Sequence, residues 1–245
     1  MSHYIVELKS DPSQSFHATK AANSVDLDLS RKMVHRLEVD GDFDTEFSVG
    51  LIVGNSGSGK TTLARKIWGS DWEGDLIDPA IPIIDQFPEQ MTFKQRSEAL
   101  TGMGLSHVPC WVRPAATLSN GQRARAECVL RLTTDAKIVV LDEWTSVVDR
   151  TVAKIMSHAV QKYARRTKRS IVLLSCHYDV IDWLQPDWIM DCTTGKFENC
   201  RQKKTTERTS RIHRPEGIKR FLAKFCTISL SEQQPFYSRL YIWAF

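Results

Sequence analysis

The stretch Gly54-Asn55-Ser56-Gly57-Ser58-Gly59-Lys60-Thr61 decides how this chain is read. It fits the pattern GxxxxGK[ST]. An apolar run, Phe47 to Val53, precedes it, and a stretch of helical character, Thr61 to Trp68, comes after it and ends at Gly69. Strand, glycine-rich turn and helix in that order make a cradle for phosphate. Glycines let successive backbone N–H groups turn toward one anion, and the helix N-terminus adds its positive end. Lys60 is placed to reach β- and γ-phosphates, and Thr61 offers a hydroxyl to Mg²⁺. Gly54 through Thr62 are thus expected to line the phosphates of a bound nucleotide.

Downstream, Ile138-Val139-Val140-Leu141-Asp142-Glu143 is an apolar strand that delivers two carboxylates at its carboxyl end, the edge where open α/β sheets bind ligands. Asp142 is expected to hold the metal, directly or through water, and Glu143 to polarise the attacking water as general base. Together the two motifs indicate a P-loop nucleoside triphosphatase. The rest of the pattern agrees with an α/β fold around a parallel sheet. Strands are expected at Tyr4 to Leu8, Ile81 to Ile84, Lys137 to Leu141 and Ser170 to Ser175. Helices are expected within 89–105, at Asn120 to Leu132 and at Thr151 to Arg166. Residues 9–24 read as a loop or a strand crossing, and Asp40-Gly41-Asp42 as the turn of a hairpin.

Between these motifs stands Leu118-Ser119-Asn120-Gly121-Gln122, which resembles the LSGGQ signature of the ABC ATPases. It precedes a helix, so Ser119 and the amides of Asn120 and Gly121 suit a γ-phosphate; Asn120 replaces the first signature glycine. Ser146-Val147-Val148-Asp149 resembles the D-loop of that family, and Ser175-Cys176-His177 its switch histidine, which contacts the γ-phosphate. Gln86 is the candidate for the Q-loop glutamine that touches Mg²⁺ and water, with Gln90 and Gln95 as rivals. Phe16 and Tyr4 are candidates for stacking on adenine. The resemblance implies the ABC ATPase fold: a P-loop parallel-sheet core, an N-terminal antiparallel β subdomain and a short helical subdomain. It also implies a homodimer that encloses ATP and Mg²⁺ between the phosphate loop of one copy and the signature loop of the other.

Longer stretches resemble a bacterial and phage group of soluble ABC ATPases commonly fused to a GNAT-type acetyltransferase-like domain. They are Leu105 to Gln122, Asp142 to Lys154 and Cys176 to Trp188, and the resemblance fades after Thr194. This gives an ATPase domain over residues 1–194 and a basic C-terminal segment over 195–245, a remnant of a junction to a further domain. Ser119 comes only 59 residues after Lys60, which leaves less room than the helical subdomain by which transporter subunits grip a membrane partner. The expected function is an ATP-driven switch acting on an acetyltransferase-like or other protein partner or on nucleic acid. A transporter nucleotide-binding subunit is the alternative.

Composition agrees with a globular, cytoplasmic protein. Of 245 residues, 42% are hydrophobic and 25% charged, and no run approaches the ~20 apolar residues that would span a bilayer. The N-terminus lacks the basic and apolar regions of a signal peptide. Six scattered cysteines without CxxC pairs fit reduced thiols better than a disulfide or zinc framework. The net charge of +4 is uneven: Gly195 to Phe245 holds 11 Lys and Arg against 4 Asp and Glu, a segment that would attract nucleic acid or acidic partners.

Overall fold

Seven strands and six α-helices account for the described part of the chain, which in this computed structural model comprises residues 2–10, 12–13, 15–28 and 33–201. The basic segment expected from residue 195 lies outside the described residues from 202 onward. Strands β3 (Val49–Val53), β4 (Ile138–Leu141), β5 (Ser170–Ser175) and β6 (Trp188–Asp191) form a parallel sheet in the order β4-β5-β3-β6. Strand β7 (Lys196–Asn199) adds antiparallel to β6 and carries the sheet to Asn199.

The alternation of side chains along the strands divides the core in two. Val49, Leu51 and Val53 of β3, Val139 and Leu141 of β4, and Ile171 and Leu173 of β5 point to one face. There they meet α3 (Phe93–Gly102), α4 (Asn120–Thr133) and α5 (Arg150–Thr167) through Leu100, Val129, Leu132, Met156 and Val160. Ile52, Val140, Val172 and Leu174 point the other way, to α2 (Lys60–Trp68) and to an antiparallel ribbon of β1 (Ser2–Ser10) and β2 (Met33–Gly41). Both faces of the sheet are covered, which is why these strands read as unbroken apolar runs. A short helix, α6 (Val180–Leu184), comes after β5.

An aromatic cluster locks the ribbon to the sheet. Phe43 meets Tyr4, Trp68, Trp188 and Phe197 edge to face, and Trp68 stacks on Trp188. The indole of Trp188 lies directly across Gly50 of β3; a Cβ there would fall 2.0 Å from Cζ2.

Three sequence expectations fail. Residues 16–23, read as loop or strand crossing, form α1 (Phe16–Asn23), whose start Ser15 caps by accepting from the Ala18 amide. The Asp40-Gly41-Asp42 turn makes no hairpin, because β2 spends its ladder on β1, beyond α1, and Gly41 pairs with Ser2. Ile83–Asp85 is a single 3-10 turn rather than a strand: prolines on both sides of Ile81 remove ladder donors, and the stretch makes only a bridge between Pro82 and Pro114.

Candidate nucleotide site

The four parallel strands all end at one edge, and each contributes a segment to the site. From β3 the chain turns at Gly54, whose φ of 151° places its missing side chain where a Cβ would lie 2.5 Å from Ser58 Oγ. No other residue closes the turn there without displacing Ser58. The loop wraps back on Lys60, only 5% exposed, whose ammonium donates to the carbonyls of Gly54 (2.9 Å) and Asn55 (3.0 Å). Lys60 begins α2, with Gly59 as its left-handed cap residue, so the loop ends at a helix N-terminus. Thr62 sits in the same first turn. Ser58 Oγ is buried there without a hydrogen-bond partner among the described residues.

From β4 come the two carboxylates. Thr61 Oγ1 donates to Asp142 Oδ2 at 2.7 Å, while Asp142 Oδ1 is buried with no hydrogen-bond partner among the described residues. Glu143 comes next with a left-handed φ of 46°, held by a turn in which the amide and hydroxyl of Ser146 both donate to its carbonyl. That conformation costs a non-glycine residue on the order of 1 kcal/mol, and it aims the carboxylate back across the site. Glu143 Oε1 lies 3.8 Å from Lys60 Nζ, and the Cys176 thiol, at the end of β5, lies 3.8 Å from Oε2. Around these groups a cavity of about 430 Å³ opens between α2 and α4, lined by Thr61, Asp142, Glu143, Trp144, Trp72 and Arg131.

The remaining candidates fall into three groups. His177 is exposed just past β5, its amide fixed by Ser175 Oγ at 3.0 Å. Ser119 caps α4 in a reciprocal box with Gln122, its hydroxyl accepting from the Gln122 amide and its own amide donating to Gln122 Oε1. Asn120 is exposed and outside the left-handed region, so the exchange of a signature glycine for asparagine asks nothing unusual of the backbone. Gly121 packs toward the D-loop of the same copy: a Cβ there would sit 3.3 Å from the Val147 carbonyl. Asp149 caps α5 by accepting from the Val152 amide at 3.0 Å. Signature loop and D-loop thus share one surface.

Gln86 stands apart from the carboxylates. Its amide nitrogen donates to the carbonyls of Asp78 (2.9 Å) and Ile81 (2.7 Å), and its oxygen accepts from the Asp78 amide. Gln95 is spent on the capping box of α3. Of the adenine candidates, Tyr4 is packed edge to face against Phe43, while Phe16 is 75% exposed on α1.

Sequence reasoning missed one contributor. After β6, Thr193 Oγ1 accepts from the Asn55 amide at 3.1 Å, tying a fourth strand end to the phosphate loop. The signal was the short apolar run Trp188-Ile189-Met190 with Asp191 and hydroxyl residues after it, the same strand-then-polar pattern as at the other three edges.

Residues 45–146 match the family model described as ABC transporter. None of the curated proteins matches the chain. Among solved structures, the dimeric bacterial ABC transporter cassette MJ0796 is 15% identical with a TM-score of 0.52, over 68% of this chain and 93% of that one. Its dimeric post-hydrolysis state bound to ADP and Pi is 17% identical with a TM-score of 0.53, at the same coverage. A metal-chelate type ABC transporter in an inward-facing conformation is 17% identical with a TM-score of 0.52, over 68% of this chain and 78% of that one. At these identities the solved structures speak for the fold, and the matched segment runs from before the phosphate loop to the Ser146 that opens the D-loop. The chain thus has the fold of ABC ATPase cassettes, and its segment 45–146, which holds the phosphate loop and the paired carboxylates, matches the ABC transporter model.

Proposed function

We propose that the chain binds Mg-ATP between the phosphate loop of one copy and the signature loop of a second, hydrolyses it, and uses the opening and closing of that dimer to switch a partner. The observation that carries this reading is the convergence of Lys60, Thr61, Asp142 and Glu143 at the carboxyl edge of β3 and β4. Lys60 neutralises phosphate charge. Glu143, facing the same spot, draws a proton from water, while His177 is the residue assigned to the γ-phosphate; Gln86 would reach that water only on leaving its bonds to Asp78 and Ile81. The exposed, already capped N-terminus of α4 offers Ser119, Asn120 and Gly121 to a nucleotide held by another copy, with Asp149 beside it.

The donor set suits magnesium. Among the described residues no group of three or more His, Cys, Asp or Glu side chains gathers into a metal cage. Mg²⁺ in nucleotide sites takes one or two protein ligands and completes its shell with phosphate and water. Thr61 and Asp142, with one Asp142 oxygen buried and unpartnered among the described residues, fit that requirement and would hold the ion, which when bound supplies charge neutralisation to the phosphates.

Among the described residues no helix is long and apolar enough to cross a membrane. A cytoplasmic switch acting on an acetyltransferase-like or other protein partner, or on nucleic acid through the basic C-terminal segment, is supported by the short insert between α2 and α4. That insert holds one α-helix and three 3-10 turns. A second reading, the nucleotide-binding subunit of a transporter, is favoured by the solved transporter cassettes of the same fold. Fractionation separates the two: the transporter reading expects the native protein with membranes, the switch reading in the supernatant. For the shared chemistry, Glu143→Gln should bind ATP, lose turnover about 10²- to 10⁴-fold, and run as a dimer in saturating Mg-ATP. A variant that binds ATP yet stays monomeric contradicts the sandwich.

A further inference from the structure

His177 is exposed, and its imidazole meets no hydrogen-bond partner among the described residues, yet its neighbours reach into the other motifs. Cys176 touches Glu143. The Tyr178 hydroxyl lies 3.2 Å from Asp191 Oδ1 and 3.4 Å from Thr193 Oγ1. Thr193 in turn takes the Asn55 amide of the phosphate loop, and its own amide is fixed by Asp191 Oδ1 at 2.8 Å. On the other side, Asp179 forms a two-pronged pair with Arg150, whose Nε donates to Oδ2 at 2.9 Å and whose Nη2 donates to Oδ1. Arg150 comes directly after Asp149 of the D-loop, and its guanidinium lies 5.0 Å over the Trp183 ring of α6, the helix that Asp179 begins.

We infer that Tyr178 and the Arg150–Asp179 pair are positioning residues that clasp the His177 loop between the phosphate loop and the D-loop. The inference rests on the proposed role of His177 at the γ-phosphate. The two clasps draw the two residues after His177 toward opposite neighbours, and Ser175 Oγ holds its amide on the preceding side, so the backbone is fixed while the side chain is left free. A forked Arg–carboxylate pair fixes direction as well as distance, which a single contact does not. The D-loop arm has a further consequence. Asp149 lies on the surface shared with the signature loop, so a shift there on dimer closure is transmitted through Arg150 to the histidine of the same copy. Closure and γ-phosphate sensing are thereby mechanically joined.

The test measures Mg-ATP affinity and steady-state ATPase on purified full-length protein. The variants are Tyr178→Phe, which removes only the hydroxyl, Asp179→Asn, which keeps the shape, and the charge swap Arg150→Asp with Asp179→Arg. Each is also made on a His177→Ala background. Tyr178→Phe and Asp179→Asn should each lower kcat about three- to tenfold while the Kd for ATP stays within about twofold, as expected when a near-attack geometry is loosened. The swap should recover most of what Asp179→Asn loses. With His177 already gone, neither change should lower kcat further. Unchanged kcat, a matching loss of affinity, or full additivity on the His177→Ala background would each overturn the clasp. A wild type that hydrolyses no ATP would overturn the proposed function itself, and the clasp with it.

Discussion

Replacing Asp187 with asparagine should cost about 2 kcal/mol at neutral pH and almost nothing in acid. Asp187 stands at the start of β6 with its side chain 12% exposed. One carboxylate oxygen accepts the amides of Ser48 (2.8 Å) and Val49 (3.1 Å) at the start of β3, and the other faces Arg201 at 3.4 Å. Burial alone would raise its pKa, but the two amides and the Arg201 guanidinium outweigh burial and hold it below the usual carboxylate range. Asparagine keeps an acceptor in place and loses the charge. A charge-assisted bond contributes roughly 1.5–3 kcal/mol against 0.5–1.5 for a neutral one, so about 1 kcal/mol goes with each amide. The half-exposed Arg201 adds a few tenths at most. At about 2–4 °C per kcal/mol for a chain of this size, the melting midpoint should fall by about 4–8 °C. Because the folded pKa is depressed, this stabilisation is complete above the unfolded value near ~4 and drains away as pH falls through the folded one. Urea unfolding monitored by tryptophan fluorescence, run from pH 7 down to pH 3, reads the gap between wild type and Asp187→Asn. A gap under about 0.5 kcal/mol at pH 7, or one that keeps its size to pH 3, refutes the reasoning.

Three further outcomes are expected. Gly50→Ala drives a methyl from the second residue of β3 into the Trp188 indole, and should destabilise the chain by about 2–3 kcal/mol in the same unfolding assay; a neutral effect would show the indole free to move. Thr61→Val removes the hydroxyl that donates to Asp142, and should raise the Mg²⁺ concentration for half-maximal ATPase about tenfold; an unchanged requirement would remove Thr61 from the metal site. Burial pushes the thiols of Cys128 and Cys192 up to about 12, so at pH 8 only on the order of 10⁻⁴ of each is thiolate. Iodoacetamide on native protein, read by mass spectrometry, should label the half-buried Cys176 well before either of them, and equal labelling would contradict their burial.

The core was legible because its signals are local. An apolar run that meets a glycine cradle, or ends in two acids, needs no partner to be recognised, and the strands through Val49–Val53, Ile138–Leu141 and Ser170–Ser175 fall where the sequence puts them. The features that escaped depend on distant pairing. The ribbon β1–β2 joins residues as far apart as Ser2 and Gly41, so a turn-like Asp40-Gly41-Asp42 misleads. Helix α1 is mostly exposed, with Ala22 its one buried residue and little apolar periodicity to betray it beyond the Ser15 cap. Within the site, the phosphate loop and carboxylates were readable from type and spacing. The holds of Thr193 on Asn55 and of Arg150 on Asp179 were not, because each joins strand ends that only the sheet order brings together. Gln86 shows the limit of order along the chain: its place fits a metal-touching glutamine, while its amide is committed to Asp78 and Ile81.

The central claim is that a loop folded around Lys60 exists to hold a magnesium-bound triphosphate. Titration calorimetry of Mg-ATP into the wild type and into Lys60→Ala, with both shown folded by their fluorescence and melting curves, tests it without reliance on turnover or a partner. Saturable binding is expected of the wild type at micromolar to sub-millimolar Kd, roughly −5 to −8 kcal/mol, with at least a hundredfold loss in the variant. A folded wild type that takes up no Mg-ATP, or a variant that binds it equally well, contradicts the claim.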